Sequence, residues 1–329
     1  MAQHFVEVPE GTPLAVSPLG GPEGMWTGNP PGNLFPVIGG YGNHEYGNRV
    51  GVFRILAVLD RHEITPTLAL DKAVADHYPF LVDEGLKRGA EFIAHGLSRR
   101  RIIHTGMSES EERQYIRASI EAVERATGKR PIGWSGPDFQ ETPNTPNLLA
   151  AEGIRYVCDW GNDEQPYKMT PKTGELYSLG VSAYLDDNYI HLHGRRTINE
   201  INLLWREWFD GLYADGSAIG RLMVLHLHPW IMGQPWRIRH LDEVLGHICA
   251  HAGVWKATGA EIIDWFKDVV VLVLRLVQMV HHADQPVMPG LDPGIHASRR
   301  AMRCRANTWM AGTSPRLSGT FFAVHSARH

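Results

Sequence analysis

Residues 221–266 read RLMVLHLHPWIMGQPWRIRHLDEVLGHICAHAGVWKATGAEIIDWF. The apolar run RLMVLHLH, ending in two alternating histidines, has the composition of a buried strand. An amphipathic stretch follows, HLDEVLGHICAHAG, then a second short apolar run, VWKAT, and a second helical stretch, AEIIDWF. Strand–helix–strand–helix order favours a parallel sheet, because each crossover helix returns the chain to the same end of the sheet.

Working back from this block, the same rhythm begins near residue 35. LFPVIGGY reads as a first strand. GNRVGVFRILAVLDRH follows as a helix, with Phe53, Leu56 and Leu59 at helical spacing. ITPTLAL is a strand, a helix runs from Asp71 to about Lys87, and EFIAH is a third strand. Ser108 and Glu111 form a capping-box pattern that opens a helix carrying Ile116, Ile120 and Val123 on one face and stopping at Gly128. PIGWSG, TPNLLAAEG and IRYVCDW continue the alternation, residues 165–200 read as a polar insertion, and a helix is expected at about 199–213. Nothing matches G-x-G-x-x-G or G-x-x-x-x-G-K-[ST]. An α/β barrel is therefore favoured over a doubly wound nucleotide-binding sheet.

The expected organisation is a Pro/Gly-rich extension at 1–34, a barrel at 35–267 and an irregular, disordered tail at 268–329. The apolar fraction of 43% suffices for a large core, and a formal net charge of −4 gives no electrostatic reason to expect nucleic acid. Cys158, Cys249 and Cys304 form no C-x-x-C pair, which suits a reducing compartment. Residues 1–34 lack a basic start and apolar block, and the apolar run at 269–280 is too short to span a bilayer. The expectation is a cytoplasmic protein with no membrane partner, with room for a homo-oligomer.

In parallel α/β barrels the active site gathers at the carboxyl ends of the strands. Here those ends carry Asn43-His44-Glu45, His95, Trp134, Asp159-Trp160 and His226/His228, with Asp186-Asp187 in the insertion. His226 and His228 are two residues apart and so share a strand face.

RGAEFIAHG, the helix ending ATGKRPIGW, NTPNLLAAEGIRYVCDW and LHPWIMGQPWRIRHLDEVL occur in this order, and their content and spacing resemble the polysaccharide deacetylases, the NodB-homology or carbohydrate esterase family 4 type. Within that family the chain is most similar to the intracellular branch holding allantoinase-like and cyclic-imide-hydrolysing relatives. The resemblance covers roughly 35–266 and implies a deformed (β/α)7 barrel. It also implies a divalent metal held by one aspartate and two histidines, a carboxylate base and a histidine acid. His95 matches the first histidine of the metal pair, but Arg99 stands where the second belongs, and VIGGYGNHEYG lacks the two aspartates normally supplied by the first strand.

The expected function is hydrolysis of a non-peptide carbon–nitrogen bond in an amino sugar or a small amide, ureide or cyclic imide. His228 would protonate the leaving nitrogen, Glu45 or a metal would activate water, and Arg99 would stabilise the oxyanion. Trp134, Asp159, Trp160 and Asp187 are the expected substrate-binding residues. No cofactor is required by the sequence. One zinc ion with a non-standard ligand set, drawn from His95, His44 and His104, is the cofactor it allows. The alternative is a degenerate barrel that binds such a molecule without hydrolysing it.

Overall fold

The computed structural model describes residues 38–98, 101–216, 220–268 and 320–327, the last of these and 38–41 as backbone only. Helix α1 (Ile38–Tyr46) passes through a π-helical turn (Gly47–Gly51) into α2 (Val52–Arg61). Next come β1 (Thr67–Leu70), α3 (Lys72–His77), α4 (Pro79–Lys87), β2 (Glu91–Ala94), α5 (Glu109–Thr127) and β3 (Gly133–Trp134). The chain continues through α6 (Thr145–Ala151), β4 (Tyr156–Val157), β5 (Tyr167–Met169), β6 (Leu176–Ser178), α7 (Ile198–Asp215) and β7 (Arg221–Leu227). The last elements are α8 (Pro229–Met232), α9 (Ile238–Cys249), β8 (Trp255–Lys256), a helix over 259–268, and β9 (Thr320–Ala327).

Local signals account for most boundaries. Ser108 and Glu111 form the reciprocal capping box of α5, and Gly128 ends that helix at φ 72°. The helix expected over 71–87 is split by Pro79, which cannot donate within a helix and opens α4 instead; the Asp71 carboxylate caps α3 by accepting from the Val74 N–H at 2.7 Å.

The sheet runs β5-β6-β4-β3-β2-β1-β9-β7, with β8 also pairing β9. Its pairings are parallel apart from β5 with β6, as the α/β alternation requires. Both faces are covered. On one face Leu70, Ala94 and Val157 pack beneath Ile116, Ile120 and Val123 of α5. Met223, Leu225 and Leu227 of β7 pack with Ile55, Trp205, Phe209 and Leu245 from α2, α7 and α9. The alternate residues, Ala69, Ile93, Tyr156, Leu222 and Val224, form a third cluster with Ile262 and Ile263. Two-residue alternation along each strand separates these sets.

Two expectations need correction. The run expected as a first strand is helical from Ile38 onward. It joins α2 without a break, and its π turn lies so close to the chain after β7 that a Cβ on Gly51 would sit 2.1 Å from the Pro229 carbonyl oxygen. Glycine supplies the close approach here and does not end a strand.

The tail expected to be irregular contains a strand of the sheet. β9 pairs in parallel along the whole of β7, from Arg221↔Thr320 to Leu227↔Ser326. Its other edge pairs β8 at Trp255↔Phe321 and β1 from Thr67↔His325 to Ala69↔Ala327. A strand flanked on both edges reads as a short apolar run without alternation, and TFFAVHSA carries little that sets it apart from its surroundings. Residues 269–319 and the 1–34 extension lie outside the described residues.

Candidate active site

His95, His226 and His228 extend one column of side chains. His95 follows Ile93 by two residues, and His226 and His228 follow Val224 by two and four, so strand alternation carries all three to the face of Ile93 and Val224. All three are buried. Each ring is held at Nδ1: His95 donates to the Ser135 carbonyl oxygen at 2.6 Å, His226 to Asp186 Oδ2 at 2.6 Å, and His228 to Asp187 Oδ1 at 2.6 Å. The rings of His226 and His228 lie 4.7 Å apart.

Both aspartates come from the insertion. Asp186 follows a 3-10 turn (Ala183–Leu185) and forms an isolated parallel bridge with His226, linking the chain beyond β6 to β7. The Asp187 carboxylate also accepts the His228 main-chain N–H, at 3.0 and 3.1 Å. Close backbone crossing holds the insertion against the end of β4: a Cβ on Gly180 would lie 1.8 Å from the Trp160 carbonyl oxygen. Only glycine fits there.

The electrostatics separate His95 from His228. Burial, reinforced by the neighbouring His226 and His228, pushes His95 down to about 3 against the opposing Ser135 hydrogen bond. His95 is therefore neutral at physiological pH, with its lone pair on Nε2, because a carbonyl oxygen can only accept. Burial also disfavours charge on His228, yet Asp186 and Asp187 outweigh it and raise its pKa above the ordinary histidine value. Burial would lift Asp186, but His226 and His228 hold it well below the usual carboxylate range.

A second acidic pair stands beside this cluster. Asp159 accepts the Gly136 N–H at 2.8 and 3.0 Å and is hydrogen-bonded to Glu141. Burial raises Glu141 to about 7, and burial with the Glu141 charge raises Asp159 well above its usual value. Burial and the neighbouring carboxyl thus both favour the protonated form of this pair. The 136–140 loop touches both groups, through the Gly136 N–H on Asp159 and the Phe139 ring on His226, and Asp138 and Phe139 in it both adopt left-handed backbone, φ 53° and 54°. Such conformations cost on the order of 1–3 kcal/mol per residue and concentrate at functional sites. The Phe139 ring lies 5.5 Å from that of His226.

The remaining expected residues divide. Trp160 is 41% exposed and donates from Nε1 to the Glu141 carboxylate at 3.1 and 3.2 Å, so its ring is available at the surface. Trp134 is fully buried and lies edge-on to Tyr115. His44 packs edge-on against Trp230 with centroids 4.6 Å apart, and Trp230 lies 6.4 Å from His228. Glu45 accepts a hydrogen bond from the Tyr78 hydroxyl, beside the junction of α3 and α4. His104 is exposed, and its Nδ1 accepts the Gly106 N–H at 3.1 Å. It lines a groove of about 640 Å³ with Lys72, Asp76 and Arg101. Arg99 lies outside the described residues.

A group of donors other than the expected His95, His44 and His104 also comes together. Among the described residues Asp186, His226 and His228, all buried, each place a donor atom within 4.8 Å of the others. One carboxylate and two imidazoles are donor types that zinc takes, and carboxylate or carbonyl partners on Nδ1 are the usual outer support of metal-bound histidines. The donor set fits a divalent ion. The Asp186-Asp187 doublet and the L-H-L-H alternation were the sequence signals for it. Glu141 carried none, since its role arises from burial against Asp159.

Residues 44–157 match the family model for polysaccharide deacetylase. A Schizosaccharomyces pombe protein assigned to the polysaccharide deacetylases is 28% identical over 239 residues, 66% of this chain and 73% of that protein. The peptidoglycan deacetylase of Helicobacter pylori is 22% identical over 276 residues, 70% of this chain and 91% of that protein. Among solved structures, the PuuE allantoinase superposes with a TM-score of 0.62 at 26% identity, covering 67% of this chain and 73% of that one. No helix among the described residues is long and apolar enough to cross a membrane.

Proposed function

We propose that this chain, which is similar to the polysaccharide deacetylase family over residues 44–157, hydrolyses a non-peptide carbon–nitrogen bond with His228 as the proton donor to the leaving nitrogen. The substrate is an N-acetyl sugar or a small amide, ureide or cyclic imide, and the family's allantoinase neighbour supports the small-molecule end of that range. The observation that carries the assignment is the Asp187 carboxylate, which receives both the Nδ1–H and the main-chain N–H of His228. It fixes the ring so that Nε2 faces away from the carboxylate, and with Asp186 it favours the protonated form an acid needs.

The attacking water needs an acceptor. Burial raises Glu141 beside Asp159 to about 7, and a base works best with a pKa close to the operating pH. We assign that role to the pair in preference to Glu45, which is engaged by Tyr78. Trp160, exposed beside Glu141, supplies a flat apolar wall for substrate.

A second, metal-dependent reading is favoured by the three buried donors. Asp186, His226 and His228 would hold a divalent ion, which when bound would polarise the substrate carbonyl and acidify water. His228 would then be a ligand, and proton donation would fall to another group. The free thiols Cys158 and Cys249 suit a reducing compartment, which supports a cytoplasmic location.

Elemental analysis of the dialysed protein, combined with a turnover screen of N-acetyl sugars, allantoin and cyclic imides, tests both readings. Turnover in the metal-free protein supports His228 as the acid. Turnover restored only by an added divalent ion selects the metal-dependent reading. Binding of these compounds without turnover under either condition overturns hydrolysis in favour of a non-catalytic barrel.

A further inference from the structure

Away from the buried cluster, α7 and α9 bring together a second set of donors. We propose that Asp210, His247 and His251 form a divalent transition-metal site on the outer face of this helix pair, suited to zinc and to neighbouring late first-row ions. Each residue offers a donor atom, and these atoms all lie within 4.8 Å of one another.

The sequence builds half of this site. His247 and His251 are four residues apart across the end of α9, so they project from one face. Packing builds the rest, since Asp210 comes from α7 and reaches His247 Nε2 at 2.6 Å. The His251 Nδ1–H donates to the His247 carbonyl oxygen at 2.8 Å. A carbonyl can only accept, so a neutral His251 carries its lone pair on Nε2, the tautomer a metal ligand requires, already held by an outer hydrogen bond.

The rings are held in place before any ion arrives. His247 and His251 have centroids 5.0 Å apart, and the Phe209 ring meets them edge-on at 5.7 and 5.0 Å. Tyr213 packs against His251 at 4.8 Å, and its hydroxyl ties down the chain after α9 by donating to the Ala252 carbonyl oxygen at 2.9 Å. The Asp210 side chain is 53% exposed and that of His247 21%, so an ion can enter from solvent and keep water in its remaining positions. Two imidazoles and one carboxylate suit zinc, nickel or copper(II) and discriminate against magnesium and calcium, which prefer oxygen ligands. An ion here would cross-link α7 to α9.

The test is equilibrium dialysis of the full-length, metal-stripped protein against zinc chloride, read by elemental analysis, with thermal melting in parallel. The expected result is a class of bound zinc that His247→Ala and His251→Ala each weaken by about tenfold or more. That class should persist in His226→Ala, which removes a donor from the buried cluster. Zinc should raise the wild-type Tm, because a ligand that binds only the folded state stabilises it. The His251→Ala protein, whose substituted side chain is half-buried, should melt near the wild-type temperature without zinc and lose the part of the rise due to this site. Unchanged zinc binding and an unchanged zinc-dependent Tm in both variants would overturn the proposal. Zinc binding abolished by His226→Ala alone would overturn it equally.

Discussion

The Asp187 carboxylate holds His228 at two points, the ring Nδ1 at 2.6 Å and the main-chain N–H at 3.0 and 3.1 Å, with both side chains buried. One acidic side chain thereby fixes the backbone exit from β7, the ring orientation and the charge preference of the imidazole.

Replacing either partner should separate these effects. His228→Ala should lower turnover by roughly 10²–10⁴-fold, the range for a positioned proton donor. In wild type, the rate should fall on the basic side as pH rises through the raised His228 pKa, because the proton to be donated is lost there. Asp187→Asn removes a charge that raises this pKa, so the basic limb should move to lower pH. A basic limb that stays in place in Asp187→Asn would show that another group donates the proton.

The Asp159–Glu141 pair makes a prediction for stability. A carboxyl whose folded pKa is raised, here Glu141 to about 7, contributes stability that is fully present below its unfolded value and lost as pH rises through the folded value. The window is therefore about pH 4.5 to 7. Glu141→Gln removes the ionisation and should make the protein less sensitive to pH across that window. Relative to wild type it should gain on the order of 1 kcal/mol at pH 8 compared with pH 4. Urea melts at the two pH values measure this, and identical pH dependence of the two proteins would refute the raised Glu141 value.

The strand at 320–327 predicts the effect of truncation. Ending the chain at Asp268 removes β9 and exposes the facing edges of β7 and β1, each now paired with it. Unpaired strand edges lose their hydrogen bonds and invite association. The truncated protein should melt at lower temperature than the full chain and tend to self-associate, checked by thermal melting and light scattering. A melt unchanged by the truncation would show that β9 contributes nothing to the sheet's stability.

Much of this protein was determined by local sequence. Capping at Ser108 and Glu111, the αL stop at Gly128 and the apolar runs of β1, β2 and β7 depend on neighbours along the chain, and a reader of the sequence can place them. The same holds for His95, His226 and His228, because strand alternation from Ile93 and Val224 dictates their face. Tertiary structure decided what these groups do. Asp186 and Asp187 precede the histidines they hold by some forty residues, Glu141 acquires its raised pKa only when buried against Asp159, and Trp134 is enclosed by the core. β9 fits between β1 and β7 for the same reason. Hydrogen bonding, desolvation and strand pairing between distant segments depend on spatial proximity, which a residue's near neighbours in sequence do not encode.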